Sequence, residues 1–409
     1  MFDVYEIRKH FPMLDGTKMM QGKPLIFLDN ASTTFKPQCV IDAIEDYYTK
    51  YTSNSHRGDY DLSFAVDSRV RSCRKTIAQF VNADENEVVF TAGDTMSLNM
   101  VAYGYGLQNL KKDDEIVLSE GEHASNLLPW FQVSKMVGAK IVYIPLDEEG
   151  KVTEDNLRKV MSNKTKVVSL AHVGNVMGFR LNIQKIAEIC HEFGAICVVD
   201  GAQSVPHFLT DFKGLDIDFL AFSGHKLCGP TGIGCLIGKK ELLDKMDPIF
   251  VGGGMNETFT KPNNLIPLEA PAKFEAGTLN VAGIFGLEAA VKFLMEIGMD
   301  NIEKHEMELK AYAVERLKGS KVKLYNATSE AGILTFNIDG IFPQDEATYL
   351  NYKGIAVRSG QHCDKLLNDF LGTPATCRAS FYFYTTKEEV DALIDNLLNG
   401  GDILDAYFN

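Results

Sequence analysis

The chain has 409 residues, 45% of them hydrophobic and 23% charged, ordinary proportions for a globular protein with a sizeable core, so wholesale disorder is excluded. Lys and Arg total 41 against 55 Asp and Glu, a formal charge of −14, which argues against nucleic acid and anionic membrane surfaces as partners while leaving room for a local anion pocket. No apolar run approaches the length of a membrane span, and the N-terminus mixes acids with bases, so we expect no span, no secretory or transit signal, and a cytoplasmic location. The 8 cysteines show neither a CxxC pair nor zinc-type spacing, so we read no metal site and expect reduced thiols, most of them small core residues.

From residue 25 onward, short apolar runs alternate with helix-length amphipathic stretches. LIFLD (25–29), EVVFT (87–91), EIVLS (115–119), KIVYI (140–144), KVVSLA (166–171), AICVVD (195–200), IDFLAFS (217–223) and GCLIG (234–238) predict strands. Helices are predicted over 38–50, 63–81, 95–109, 124–137 and 183–193. Unbroken Val/Ile/Leu runs in strand–helix–strand order predict a mostly parallel sheet covered on both faces. Sheets of this kind bind ligands at the C-terminal ends of their strands, which directs attention to the polar residues after each run. The pattern turns to loop over 252–280, and helices follow at about 282–297 and 300–318. A second alternation at 321–326, 332–338, 355–359 and 379–384 closes on a helix near 386–399. The expected organisation is an α/β protein in three parts: an N-terminal segment, 1–24, packing with the small domain; a large α/β domain, 25–285; and a small α+β domain, 286–409, carrying the Cys363 loop.

Asp200 closes AICVVD, where a buried carboxylate needs a cation, donors or water, or else caps the next turn. Ser223-Gly224-His225-Lys226 follows IDFLAF: Ser and His are phosphate donors, and glycines let N–H groups approach an anion. Lys226, a residue type usually found on the surface, sits in that turn. Asp94-Thr95 opens a helix after EVVFT, where free N–H groups and the positive dipole end suit a phosphate; a plain N-cap is the alternative. A lysine, a carboxylate and a phosphate cradle together are what pyridoxal 5'-phosphate requires. His123, after EIVLS, would then stack on the ring, or is an ordinary hydrogen-bonded histidine. Cys363 ends the turn-like RSGQHC, where Arg358 and His362 would stabilise a thiolate, or it is a plain loop thiol. The planar fork of Arg378 suits a carboxylate if it does not simply lie on the surface.

These residues belong to longer matching stretches: LDNAST (28–33), HRG (56–58), FTAGDT (90–95), EHASNLLPW (122–130), HVGNVMG (172–178), VVDGAQSVPH (198–207), FSGHKLCGPTGIG (222–234), FEAGTLN (274–280), RSGQHC (358–363) and CRASF (377–381). Over nearly its whole length the chain resembles the fold-type-I pyridoxal-phosphate enzymes of the class V aminotransferase superfamily, and more narrowly the Suf-type (group II) cysteine desulfurases and selenocysteine lyases. The resemblance implies that Lys226 carries the cofactor, Asp200 pairs with its pyridine nitrogen, Gln203 contacts its ring oxygen and His123 stacks on it. It further implies that Thr95, Ser223 and His225 hold the phosphate, with Thr278 reaching across from a second subunit of a homodimer. Arg378 and Asn175, with Arg358 nearby, would hold the substrate carboxylate. Cys363 would take sulfur from L-cysteine as a persulfide, releasing L-alanine and passing the sulfur to an acceptor protein of the Suf type for iron–sulfur cluster or thio-cofactor assembly. A selenocysteine lyase, another class V activity such as an aminotransferase or epimerase, or a cofactor-binding scaffold with little turnover are the alternatives.

The chain departs from the family pattern at Ala92, Asp94, Ala124, Gln361 and Asp364. An acidic Asp94 beside a dianionic phosphate would repel it unless the side chain points away, and the acidic Asp364 next to Cys363 should raise the thiol's pKa and slow thiolate chemistry.

Overall fold

A computed structural model describes residues 2–55 and 58–399; His56 and Arg57 of the HRG stretch lie outside the described residues. Seven strands form the large sheet: β1 (Val88–Thr91), β2 (Glu115–Ser119), β3 (Lys140–Ile144), β4 (Thr165–Ala171), β5 (Ile196–Asp200), β6 (Phe219–Ser223) and β7 (Gly234–Gly238). Their order is β1-β7-β6-β5-β4-β2-β3, with β7 antiparallel to both its neighbours and the other pairs parallel. The apolar runs are unbroken because successive side chains enter opposite layers that are both buried. In β1, Val88 and Phe90 enter one layer and Val89 the other; in β5, Cys197 and Val199 join the first, Ile196 and Val198 the second.

The first layer is closed by α1 (Asp61–Phe80), by α4 (Ile183–Glu192) and by α5 (Val281–Ile297); the second is closed by α2 (Asp94–Val101) and α3 (Ala124–Val137). After α6 (Met299–Leu317), strands β8 (Val322–Leu324), β9 (Ile333–Ile338), β10 (Arg358–Gly360) and β11 (Thr376–Ser380) form an antiparallel sheet in the order β8-β9-β11-β10. It is accompanied by α7 (Pro343–Tyr352), α8 (Lys365–Leu371) and α9 (Lys387–Asn399). Near the N-terminus, the Arg8 guanidinium makes a two-pronged pair with Glu389 of α9 at 2.9 and 3.0 Å. Six of the eight cysteines are buried; Cys39 and Cys363 are exposed, and all eight are free.

Several segments differ from expectation for identifiable reasons. The run 25–29 contributes only Ile26–Phe27 as strand, and it pairs with Ile355–Ala356 instead of joining the large sheet. The ladder continues as Leu28 N–H donates to Ala356 O and Ser380 N–H to Leu28 O. The run 379–384 leaves strand geometry after Ser380, and Tyr382, Phe383 and Tyr384 fold into an aromatic cluster with Phe11. The helix predicted over 95–109 holds α-geometry to Val101 and widens over Ala102–Gly106. The 252–280 stretch contains a hairpin, Asn256–Thr260 with Asn264–Pro267, whose residues are almost all exposed and so carry no apolar alternation.

One buried ion pair ties this stretch to the large sheet. Arg74 of α1 grips Glu275 with two parallel hydrogen bonds of 2.8 Å, and Glu275 Oε1 also accepts from Phe90 N–H of β1 at 2.8 Å. The FEAGTLN segment is thereby anchored beside the strand that leads into α2. Replacing Glu275 with Ala leaves a buried guanidinium unpaired, and we expect a loss of about 3–5 kcal/mol in chemical denaturation. An Arg74→Met/Glu275→Leu double variant should recover most of that loss; equal losses in both proteins would show that the pair is not what anchors the segment.

Candidate active site

A cavity of about 200 Å³ opens beyond the C-terminal ends of the parallel strands and is closed from the far side by β10, β11 and the loop between them. Every residue assigned a cofactor, substrate or sulfur-accepting role from the sequence lines it except Thr278, which is exposed and faces a separate cavity bordered by Phe250 and Ala92.

Lys226 stands in the short turn Gly224–Lys226 after β6. Burial pushes its amine pKa down, while Asp200 and Asp94 pull it back up. The backbone just before it is held by an unusual convergence: His225 O accepts from Thr33 Oγ1 (3.2 Å), Thr34 N–H (3.0 Å), Thr34 Oγ1 (3.1 Å) and Lys36 Nζ (3.1 Å). Asp200 closes β5 and does cap the following turn, its Oδ1 accepting from Ala202 N–H at 2.9 Å. Gln203 donates through Nε2 to Ala31 O at 2.7 Å, which leaves its Oε1 buried without a partner. His123 is the N-cap of α3 and its Nδ1 accepts from Ser125 N–H at 3.1 Å; burial, and then the Lys226 amine, lower its pKa. At the start of α2, Ser223 Oγ accepts from Asp94 N–H at 2.8 Å, and Thr95 Oγ1 bonds Ser125 Oγ at 2.7 Å. Burial pushes the His225 ring down to about 4.

On the opposite wall, Arg378 of β11 is only 2% exposed. Its Nη1 donates to Asn175 O at 2.8 Å and its Nη2 to Ser32 Oγ at 2.9 Å and Asp29 Oδ1 at 3.2 Å, leaving Nε buried and unpartnered. Arg358 donates to the same Ser32 Oγ at 3.0 Å. Cys363 is the only cysteine lining the cavity and its side chain is exposed. His362 and Cys363 are consecutive left-handed residues, with φ of 53° and 60°. Donors from outside the turn help to hold it: Asn175 Nδ2 to His362 O at 3.0 Å, Ala124 N–H to Cys363 O at 2.9 Å and Asn368 Nδ2 to Gln361 O at 3.2 Å.

The structure bears on four expectations. The Asn175 amide lines the cavity and gives one of its two N–H groups to the Cys363 loop, which leaves the other for a substrate carboxylate. His362 is buried against Thr376 and burial pushes it down to about 3, so it offers Cys363 no positive charge. Asp364 is 1% exposed with both carboxyl oxygens unpartnered, and burial pushes its pKa far up; a neutral Asp364 does not raise the pKa of the adjacent thiol. Asp94 does not turn away from the phosphate cradle but lines the cavity. Residues not singled out individually also matter: Asp29 and Ser32, within LDNAST, orient the two arginines, and Glu122, within EHASNLLPW, accepts from Asn126 Nδ2 and Ala171 N–H behind His123. Their only signal in the sequence is membership of those stretches.

The donor set fits pyridoxal phosphate. Lys226 supplies an amine, Asp200 a carboxylate, Gln203 an unsatisfied acceptor, and the start of α2 an anion cradle. The buried, unpartnered Nε of Arg378 is an open position for a carboxylate.

Residues 26–393 match the family model for aminotransferase class-V. The chain is 47% identical over 397 residues to a probable cysteine desulfurase of Halalkalibacterium halodurans, covering 97% of each protein. It is 41% identical over 408 residues to a cysteine desulfurase of Haloferax volcanii, covering 96% of each. It is also similar to the crystal structure of the cysteine desulfurase CsdA from Escherichia coli in its S-sulfonic acid form, with a TM-score of 0.90, 36% identity and 99% of each chain covered.

The Asn175 bond to the Cys363 loop can be tested by itself. An Asn175→Ala variant loses a hydrogen bond of about 1 kcal/mol, equivalent to roughly fivefold in a local opening equilibrium. Amide exchange over 361–364 and alkylation of Cys363 should both speed up by about that factor. Unchanged rates would mean that the loop is held by something other than this amide.

Proposed function

Because the chain belongs to the class-V aminotransferase family, we infer that it is a pyridoxal-phosphate-dependent cysteine desulfurase, converting L-cysteine to L-alanine with a persulfide on Cys363. One observation carries the inference: a single exposed thiol opens into the same cavity as Lys226, Asp200 and the unsatisfied Gln203 Oε1. An aminotransferase or epimerase has no use for a thiol at this place, so the geometry favours sulfur transfer over those readings.

Lys226, Asp200, Gln203 and His123 would hold the cofactor's ring, and Thr95, Ser223 and His225 its phosphate; once bound, it supplies an electron sink for the substrate's Cα carbanion. The guanidinium of Arg378, with Arg358 on the open side, orients the substrate carboxylate through its free Nε. Lys226, its pKa lowered by burial, removes the proton from Cα of L-cysteine. The Cys363 sulfur attacks the substrate sulfur: an S–S bond forms as the C–S bond breaks, and the substrate's β-carbon gains a proton, so that a thiol and L-cysteine become a persulfide and L-alanine. Arg358 and Arg378 are the guanidiniums lining the cavity with that thiol, and Asn175 helps to keep its loop in place.

We place the cofactor-binding part at 25–285 and the part carrying the Cys363 loop at 286–409. The functional unit on this reading is a homodimer with Thr278 donated across the interface. Support comes from Thr278 lining a cavity other than the one that holds Lys226, and from exposed apolar side chains: Phe250 and Val251 in that same cavity, and Phe259, Leu265 and Ile266 on the 256–267 hairpin. The persulfide would go to a sulfur-acceptor protein of the Suf type in the cytoplasm. No helix among the described residues is long and apolar enough to cross a membrane.

Purified protein should be yellow, and Lys226→Ala should lose both the visible band and turnover. Cys363→Ser should keep the band and lose alanine release from L-cysteine by roughly a thousandfold or more, since hydroxyl oxygen does not accept sulfur. Mass spectrometry of the parent protein after L-cysteine treatment should find one added sulfur on the Cys363 peptide; a serine variant with parental activity would rule out the persulfide route. Light scattering at micromolar concentration should give a dimer, and a fully active monomer would remove Thr278 from the site.

A further inference from the structure

Asp94 is the residue of this site that the cofactor reading does not absorb. It is the first residue of α2, 6% exposed, and its Oδ1 is sealed from solvent without a hydrogen-bond partner. The side chain lines the cavity beside Thr95, Ser223 and His225, the groups assigned to the phosphate. Its backbone N–H is fixed by Ser223 Oγ at 2.8 Å, which pins the residue where it is. A carboxylate in that position opposes an arriving phosphate dianion, whereas a carboxylic acid offers it a donor.

The charged and titratable surroundings favour the acid. Burial is the largest influence raising its pKa, and Asp200 at the end of β5 adds to it; Lys226, after β6, opposes both. His225 beside Lys226 and His123 at the start of α3 are lowered by burial, and Arg358 and Arg378 line the same cavity from β10 and β11. A phosphate held beside Asp94 would add negative charge there and favour the neutral carboxyl further.

We propose that Asp94 is a proton-linked part of the phosphate cradle: the cofactor binds the form of the protein in which this carboxyl is neutral, and binding and protonation strengthen one another. The proposal rests on the cofactor reading above, and extends it to how the site senses pH. Affinity for the phosphorylated ligand should fall as pH rises through the ionisation of Asp94 in the free protein, by up to about tenfold per pH unit for one linked proton.

Pyridoxamine 5'-phosphate is the suitable probe, because it has no aldehyde and does not react with Lys226. Its affinity for the full-length apoprotein would be measured by calorimetry between about pH 6 and about pH 9, for the parent, for Asp94→Asn and for Asp94→Thr. We expect the ratio of the parent's Kd to that of either variant to increase with pH, and the same titration with unphosphorylated pyridoxamine to show no such increase. A ratio that stays constant over the range overturns the proposal, as does an equal increase with pyridoxamine. Should neither parent nor variants bind the phosphorylated probe or hold a visible cofactor band, the cofactor reading itself fails and the linkage with it. The Thr variant keeps the test decisive if Asn at this buried position impairs folding.

Discussion

Four donors meet on one oxygen, the carbonyl of His225, and much of the site is framed by that meeting. A carbonyl has two lone pairs, so the four bonds share them and none is at full strength. The oxygen nonetheless cannot move without weakening several at about 1 kcal/mol each. The donors all come from residues 33–36, and the same stretch of chain, a few residues earlier, orients Arg378 through Asp29 and Ser32 and pairs through Leu28 with Ser380 of the small sheet. Lysine and arginine, which lie 152 residues apart in sequence (378 − 226), are thus referred to one short segment. Burial of Lys36 in this cluster pushes its amine down to about 8.

The electrostatics of the cavity come as much from neutralised groups as from charged ones. Burial drives His123, His225 and His362 toward the uncharged ring and Glu122 and Asp364 toward the uncharged acid. The field is left largely to Lys226 and two guanidiniums set against the Asp200 carboxylate. A protein of net charge −14 in this way presents a cationic interior to small anionic ligands without a cationic surface.

How much was legible in the sequence depended on burial. The strands of the large sheet read clearly because both faces are covered, so every residue from Val88 to Thr91 or from Ile196 to Asp200 is buried. The 256–267 hairpin was invisible because its residues face solvent and its pairing leaves no periodic trace. LIFLD has the composition of a core strand, but composition does not encode which sheet a strand joins; its partner, Ile355–Ala356, is 329 residues away (355 − 26). The site residues were legible as motifs and through family resemblance, and their convergence on one cavity agrees with the rule that parallel sheets bind at their C-terminal edge. Side-chain direction was not legible. Nothing in RSGQHCD says that two left-handed residues follow one another there, or that His362 and Asp364 turn inward while Cys363 turns out.

Those two residues also set heat tolerance and chemistry against each other. Non-glycine side chains at φ of 53° and 60° carry backbone strain of about 1–3 kcal/mol each, which glycine would largely relieve. Selection of randomised chains for resistance to heat alone would therefore drift toward glycine at the exposed position 363 and discard the thiol, while the buried ring of His362, bonded to Thr376, resists the same change. A screen coupled to sulfur release would hold Cys363 in place and find its stabilising changes elsewhere.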